Sequence, residues 1–244
     1  YRIVAFLLLG ILVLAGSLVL FVQTNSLAFG GPGEVGLFQE LDSWGSILLL
    51  MGFGIKAAFP FVHAWLPDAY AKATPAGAVV LSAFTTKMAI YALARGFAGA
   101  EPLIIIGAMM CVFPLLHAVL ADDLRQTLAH VLNNQLGFMV VAIGVGTPVA
   151  ISGTAAMAFA HVIYKGLLFM ALGAVLDQTG TARQSQLGGL AKNMRWTCTF
   201  CLVGAFSVMP LNCGFVTKSI VLGAVAREHL DVVWLVLVLA AAGA

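Results

Sequence analysis

Ser46–Arg95 reads SILLLMGFGIKAAFPFVHAWLPDAYAKATPAGAVVLSAFTTKMAIYALAR. Two apolar spans lie on either side of a polar, proline-marked turn at Leu66–Pro75, and each span carries one lysine near its middle, Lys56 and Lys87. No carboxylate flanks either lysine. A lone ammonium in the middle of a membrane-length apolar run costs about 2.5–3.5 kcal/mol on insertion scales. A chain that carries this twice in one stretch is expected to use the charge.

The rest of the chain has the same character. Of its 244 residues, 61% are hydrophobic and only 9% are charged, against about 25% charged in a soluble domain. The apolar runs have the length a helix needs to span a bilayer, and they lack the short alternation of a membrane β-barrel. The fold class expected is all-α, a polytopic transmembrane helical bundle. Eight spans are expected: Arg2–Val22, Ser46–Leu66, Ala76–Phe97, Pro102–Ala121, Leu124–Gly146, Gly153–Leu176, Thr197–Leu222 and Leu230–Ala244. The chain begins at Tyr1 without Met and ends at Ala244 within an apolar run, as expected of a fragment of a longer protein. The net charge of +2 points to no nucleic-acid partner.

Charge placement sets the orientation. Alternating spans put Arg2, Lys72, Arg125, Arg183, Lys192 and Arg195 on one side and only Arg95 and Arg227 on the other. The positive-inside rule makes the first side cytoplasmic. The acidic connection Gln23–Trp44, with Glu34, Glu40 and Asp42, then faces outward.

The remaining four cations, Lys56, Lys87, Lys165 and Lys218, all lie inside spans, whereas every Asp and Glu is in a loop or at a span end. Gly52-Phe53-Gly54-Ile55-Lys56 and Gly214-Phe215-Val216-Thr217-Lys218 share the pattern GFxxK, with Pro60 after the first and Pro210 before the second. The copies are five spans apart and so run in opposite directions, as in an inverted repeat. Gly54, Pro60, Pro210 and Gly214 mark expected helix breaks, where freed carbonyls must face protein or water rather than lipid. His161 and Lys165 stand at i and i+4, which stacks them on one helix face and lets them exchange a proton. His63 and Asp68 lie at the cytoplasmic corner, where His63 could line a proton path or pack against the turn. His130 and Asn134 offer a polar path, with interhelical hydrogen bonding as the other reading for His130 and for His117. Cys198 and Cys201 form a CxxC, but no second CxxC or nearby His completes a metal set; they read as two small residues on one helix face.

These residues carry a resemblance. GFGIKAAFPFVHAWLPDAYAKATPAG resembles the central motif, about GFxxKxPxxPFHxWLPDAHxxAPT, of the antiporter-like family. That family comprises the A-type and D-type subunits of the Mrp cation/proton antiporters and the large proton-pumping membrane subunits of respiratory complex I. Lys56, Phe61, His63, Trp65, Leu66, Pro67, Asp68 and Ala69 match; Ala58 stands in place of a proline and Tyr70 in place of the usual His. Lys87 with Tyr91 and Arg95, the Asp122–Arg125 turn, His161–Phe169 and Gly188-Gly189-Leu190 resemble further family segments. Lys218-Ser219 looks closest to the D-type Mrp proteins. Asn212 and Cys213 depart from the family's pattern at the second break.

The resemblance implies a fourteen-helix fold with inverted repeats and broken helices, of which residues 1–244, one transmembrane domain, would cover about helices six to thirteen. It implies a multi-pass protein of the bacterial inner (plasma) membrane, partnered by other subunits of a hetero-oligomeric assembly, moving H+ with Na+ or K+, and with no cofactor of its own. It implies proton translocation along Lys56, Lys87, His161, Lys165 and Lys218. It also pairs Lys56 with a glutamate upstream of Tyr1, so this stretch alone would not translocate ions. The alternative within the class is a proton-pumping subunit of NADH-quinone oxidoreductase or a related hydrogenase. An alternative of a different class is a non-transporting membrane scaffold.

Overall fold

A computed structural model describes residues 2–25, 37–38, 41, 43–209 and 212–243, without the side chains of residues 2–6. The acidic residues Glu34, Glu40 and Asp42, and Pro210 of the second expected break, lie outside the described residues. The described elements are helical: α1 Arg2–Thr24, α2 Trp44–Ala57, α3 Trp65–Lys72, α4 Pro75–Val80, a π turn Leu81–Thr85, α5 Thr86–Phe97, α6 Pro102–Leu120, α7 Leu124–Val145, α8 Pro148–Thr179, a 3-10 turn Gln184–Gln186, α9 Leu190–Asn193, α10 Arg195–Phe206, α11 Cys213–Arg227 and α12 Asp231–Ala242. Among the described residues, five helical stretches are long and apolar enough to cross a membrane, and α2 and α12 are shorter apolar helices.

The second expected span is not one helix ending in a turn. It stops at Ala57, and the stretch assigned to the turn forms α3. The reason is local. Ala58 takes the left-handed region (φ 64°) and closes α2, with the Phe59 amide donating to the Gly54 carbonyl at 2.9 Å. A proline, fixed near −65°, could not adopt that φ, so the alanine in the family's proline position fits this closure. Pro60 lies in the break, and Pro67 sits in the first turn of α3, where a missing N–H is harmless. Trp65 then donates its indole N–H to the Ile55 carbonyl at 2.9 Å, satisfying an α2 end carbonyl across the break.

The seventh expected span also breaks, between Phe206 and Cys213. Asn212 donates its side-chain amide to the Phe206 carbonyl at 2.6 Å, and the Gly214 amide donates to the Ser207 carbonyl at 3.0 Å. Each break thus returns a donor to the helix end it interrupts. The breaks stand on opposite sides of their lysines, after Lys56 and before Lys218. The third expected span holds an unexpected π turn at Leu81–Thr85, inside Pro75–Phe97. The sixth extends to thirty-two residues, capped by Thr147 with Pro148 at one end and by left-handed Gly180 at the other.

Loop contacts show which ends lie together. Arg125 is 1% exposed and donates to the Ala71 and Ala73 carbonyls at 3.0 and 2.8 Å. Leu124 N–H donates to Ala182 O at 3.0 Å, and Gln184 N–H to Asp122 O at 2.8 Å. The loops carrying Lys72, Arg125 and Arg183 therefore share one end, as alternation of the spans requires. The Asp122 carboxylate accepts from the Ser185 hydroxyl at 2.8 Å and from the Ser185 amide at 3.0 Å. These two bonds hold its carboxyl below the ordinary carboxylate range. The bonds are therefore complete above that range and are lost as pH falls through the depressed value. At the opposite end, Phe38 N–H donates to Gly96 O at 2.7 Å and Gly99 N–H to Ile143 O at 2.9 Å.

The core centres on α7, buried continuously from Leu132 to Gly144. Its closest neighbour is α6. A Cβ on Gly107 would meet the Val141 backbone nitrogen at 2.6 Å, and one on Gly137 would meet the Cys111 nitrogen at 2.8 Å. Small residues let the backbones touch where lipid supplies no hydrophobic drive. Asn134 and Cys111 tie the same helices: Asn134 Nδ2 donates to Cys111 O at 2.7 Å, and Cys111 Sγ lies 3.6 Å from Asn134 O.

This packing can be tested at two points. Arg125→Ala deletes two charge-assisted bonds in a buried site and should lower stability by about 2–4 kcal/mol, read as a lower thermal midpoint of the full-length protein in detergent. Gly137→Val should separate α6 from α7 and lower stability by about 1–3 kcal/mol or more, whereas substitution at Gly188, which meets nothing within 4 Å, should leave the midpoint unchanged.

Candidate functional site: a buried lysine–histidine array

Three of the four intramembrane lysines converge. Lys165 on α8 is 3% exposed, Lys218 on α11 is 4% exposed, and His161 on α8 is fully buried. Lys87, in the first turn of α5, is half-buried. Lys87 and Lys165 lie within electrostatic reach of each other, as do Lys165 and Lys218, and His161 lies within reach of all three. The electrostatic neighbours of these lysines among the described residues are one another, His161 and Cys111; none is a carboxylate.

Each lysine finds a different environment. The Lys87 ammonium donates to the Ser82 carbonyl at 2.6 Å and lies 3.4 Å from Thr86 Oγ1. Ser82 is in the π turn, which shifts the helical bonding pattern from i+4 towards i+5 and frees carbonyls for other donors. Lys218 stands over the Phe138 ring of α7, 5.5 Å from its centroid, a cation–π placement. Both lysines also line cavities. One of about 270 Å³ runs from Lys87 past Tyr91 to Arg95, against Thr154 and Ala158 of α8. The other, of about 480 Å³, lies between α10, α11 and α12 and is lined by Lys218, Ser219 and Met209.

His161 packs edge-on against Tyr164 with ring centroids 5.2 Å apart. Neither of its ring nitrogens meets a hydrogen-bond partner among the described residues. His161 and Lys165 lie on the same helix within electrostatic reach of each other, and both imidazole nitrogens are without a partner among the described residues.

Lys56 stands apart. It lies in the last turn of α2, half-buried, and is not among the charges acting on Lys87, Lys165 or Lys218. Gly54 lies one turn before the first break and Gly214 in the first turn after the second. Asp68 is exposed in the first turn of α3.

A second cluster forms at the end where Arg125 ties the loops. His63, in the break after α2, meets His117 of α6 edge-on with centroids 6.1 Å apart, and His117 stacks on His130 of α7 at 5.6 Å. His117 Nδ1 lies 2.9 Å from the Phe113 carbonyl of its own helix, and His130 Nδ1 is buried without a partner among the described residues. One turn deeper on α7, Asn134 commits its amide to α6, whereas Asn133 Oδ1 and Gln135 Oε1 are the buried oxygens without donors among the described residues. The sequence signals His63 and His130 separately. The bridging role of His117 shows only when three elements distant in sequence are brought together. Tyr70 is a further residue that the sequence does not place in the site. It is fully buried and donates its hydroxyl to Leu81 O, in the π turn, at 2.9 Å. Its one signal in the sequence is that it replaces the usual His.

Known proteins are similar to the chain over most of its length. The A-type subunit of the Na(+)/H(+) antiporter of Bacillus subtilis is 34% identical over 248 residues, covering 91% of this chain and 31% of that protein. Hydrogenase-4 component B of Escherichia coli is 28% identical, covering 85% of this chain and 34% of that protein. A chain in the structure of the Mrp complex from Dietzia sp. superposes with a TM-score of 0.90 at 27% identity, covering 99% of this chain and 47% of that one. The chain thus spans about a third of the length of these curated relatives and about half of the solved chain. The family pattern described as NADH:quinone oxidoreductase/Mrp antiporter, transmembrane, matches residues 1–242. The chain belongs to that family of transmembrane antiporter and quinone oxidoreductase subunits.

Proposed function

We propose that this chain is the ion-translocating part of a subunit of a multisubunit monovalent cation/proton antiporter in a bacterial inner membrane. The carrying observation is the array Lys87–His161/Lys165–Lys218, three ammonium groups and an imidazole gathered between apolar helices without a carboxylate among the described residues. Like charges this close repel, so a proton gained at one site alters the occupancy of the next. Protons would pass laterally, with the two unpartnered nitrogens of His161 bridging α5 to α8 and α11. His63, His117 and His130, followed by Asn133 and Gln135, would form an uptake path from the end that the positive-inside rule makes cytoplasmic. The cavities at Lys87 and Lys218 would give hydrated outlets. Lys56, at the first break, would modulate the array and take its counter-charge from a glutamate elsewhere in the longer protein. The similarity to the antiporter protein of Bacillus subtilis supports H+ and Na+ as the exchanged ions, and that to the Mrp complex supports other membrane subunits as partners.

A second reading is favoured by the similarity to hydrogenase-4 component B: a proton-pumping subunit whose electron transfer is carried out by other subunits. The proteins that co-purify with the full-length chain separate the two readings, being small membrane subunits in the first and hydrophilic redox subunits in the second.

The array is tested in inverted vesicles carrying the full-length protein in its complex. Lys56→Ala and Lys165→Ala should each reduce cation-dependent proton movement at least 100-fold while assembly, read by native gel, is retained. Lys165→Arg should not restore it, because a guanidinium does not release its proton in proteins. Wild-type transport in the alanine variants would support the scaffold reading instead.

A further inference from the structure

We propose that Tyr70 is the positioning residue for Lys87: it holds the π turn in the shape that presents a backbone carbonyl to the ammonium. The inference rests on the reading of Lys87 as a translocation site. Tyr70 lies on α3 and Lys87 on α5, and the turn after α3, with α4 and the π turn, brings the two to one short backbone segment. The phenol donates to the Leu81 carbonyl at 2.9 Å, and the ammonium donates to the next carbonyl, Ser82, at 2.6 Å. Thr86, fully buried, is a side-chain neighbour of the phenol, and its hydroxyl lies 3.4 Å from Lys87 Nζ.

The direction of these bonds is set by chemistry. A lysine ammonium can only donate and a carbonyl can only accept. So Lys87 donates to Ser82 and Thr86, and Tyr70 donates to Leu81. When Lys87 gives up its proton, its amine becomes an acceptor, and the Ser82 carbonyl loses a charge-assisted donor beside the carbonyl that the phenol holds. The state of Lys87 is then registered by the π turn, which packs against α8, the helix of His161 and Lys165. Tyr70 is itself anchored on α8, its ring edge-on to Phe169 at 5.7 Å. A π turn is a strained insertion that needs outside support, and the phenol supplies it at the first of its carbonyls. The charged or titratable groups facing Lys87 are Lys165 and His161 on α8 and Tyr70 on α3, with Tyr91 and Arg95 of α5 lining the same cavity. The helices α2 and α7, also packed on α5, bring no charge into its electrostatic neighbourhood.

Tyr70→Phe in the full-length protein within its complex removes only the hydroxyl and keeps the ring on Phe169. Transport in vesicles should fall at least tenfold, and the pH profile of the rate should be displaced by about half a unit or more, with assembly retained. If Lys87→Ala abolishes transport while Tyr70→Phe shows the wild-type rate and profile, the proposal is overturned and the reading of Lys87 stands. A uniform slowing at every pH with an unmoved profile also overturns it, since that is the mark of altered packing alone. If Tyr70→Phe does not assemble, Thr86→Val, which removes the hydroxyl beside Lys87 Nζ with a side chain of similar shape, decides by the same two readouts. Wild-type transport in Lys87→Ala would instead refute the translocation role of Lys87 itself.

Discussion

An ammonium group among apolar helices must be compensated by whatever dipoles the fold can turn towards it, because leaving it bare costs several kcal/mol. In this chain the compensation comes from backbone and rings. Lys87 takes the Ser82 carbonyl and Lys218 takes the face of Phe138. The two solutions ask different things of the backbone. A regular α-helix has no spare carbonyl to offer in its middle, so Lys87 needs the π turn beside it, whereas Lys218 needs the packing of α11 on α7 that sets it over the ring. Much of the architecture can be read as support for these irregularities.

That support is itself polar and local. The first break is held by the Trp65 indole on Ile55 and by the left-handed Ala58, and the second by Asn212 on Phe206. Arg125 fixes the far end of α3 by taking two of its terminal carbonyls. Because α3 is pinned at both ends, Tyr70 is carried to the π turn and Phe169 together. A cation at a helix C-terminus is favoured by the helix dipole as well as by its hydrogen bonds, which accounts for a fully buried arginine whose guanidinium is held by backbone carbonyls.

These interactions are individually weak and spread over several elements. Lys87 is held by a carbonyl and a hydroxyl, with Lys165 within electrostatic reach, and not by a carboxylate among the described residues. The histidines at the loop-tied end lead from His63 through His117 to His130 and on along α7 to amide oxygens without a donor among the described residues.

The sequence by itself determined the class of the fold, the membrane setting, the alternation of the spans and the placement of four lysines inside them. These depend on composition, run length and charge placement, properties that sum along the chain. The breaks at Pro60 and Gly214 were also legible, because glycine and proline act on their own backbone. Tertiary structure alone decided that Lys87, His161, Lys165 and Lys218 meet while Lys56 stands apart. It alone joined His117 to His63 and His130, and set Tyr70 on a π turn that no residue pattern announces. Such contacts join helices through side-chain reach and shared carbonyls, and their partners, such as Tyr70 and Leu81 or His63 and His117, are set by packing angles rather than by spacing along the chain.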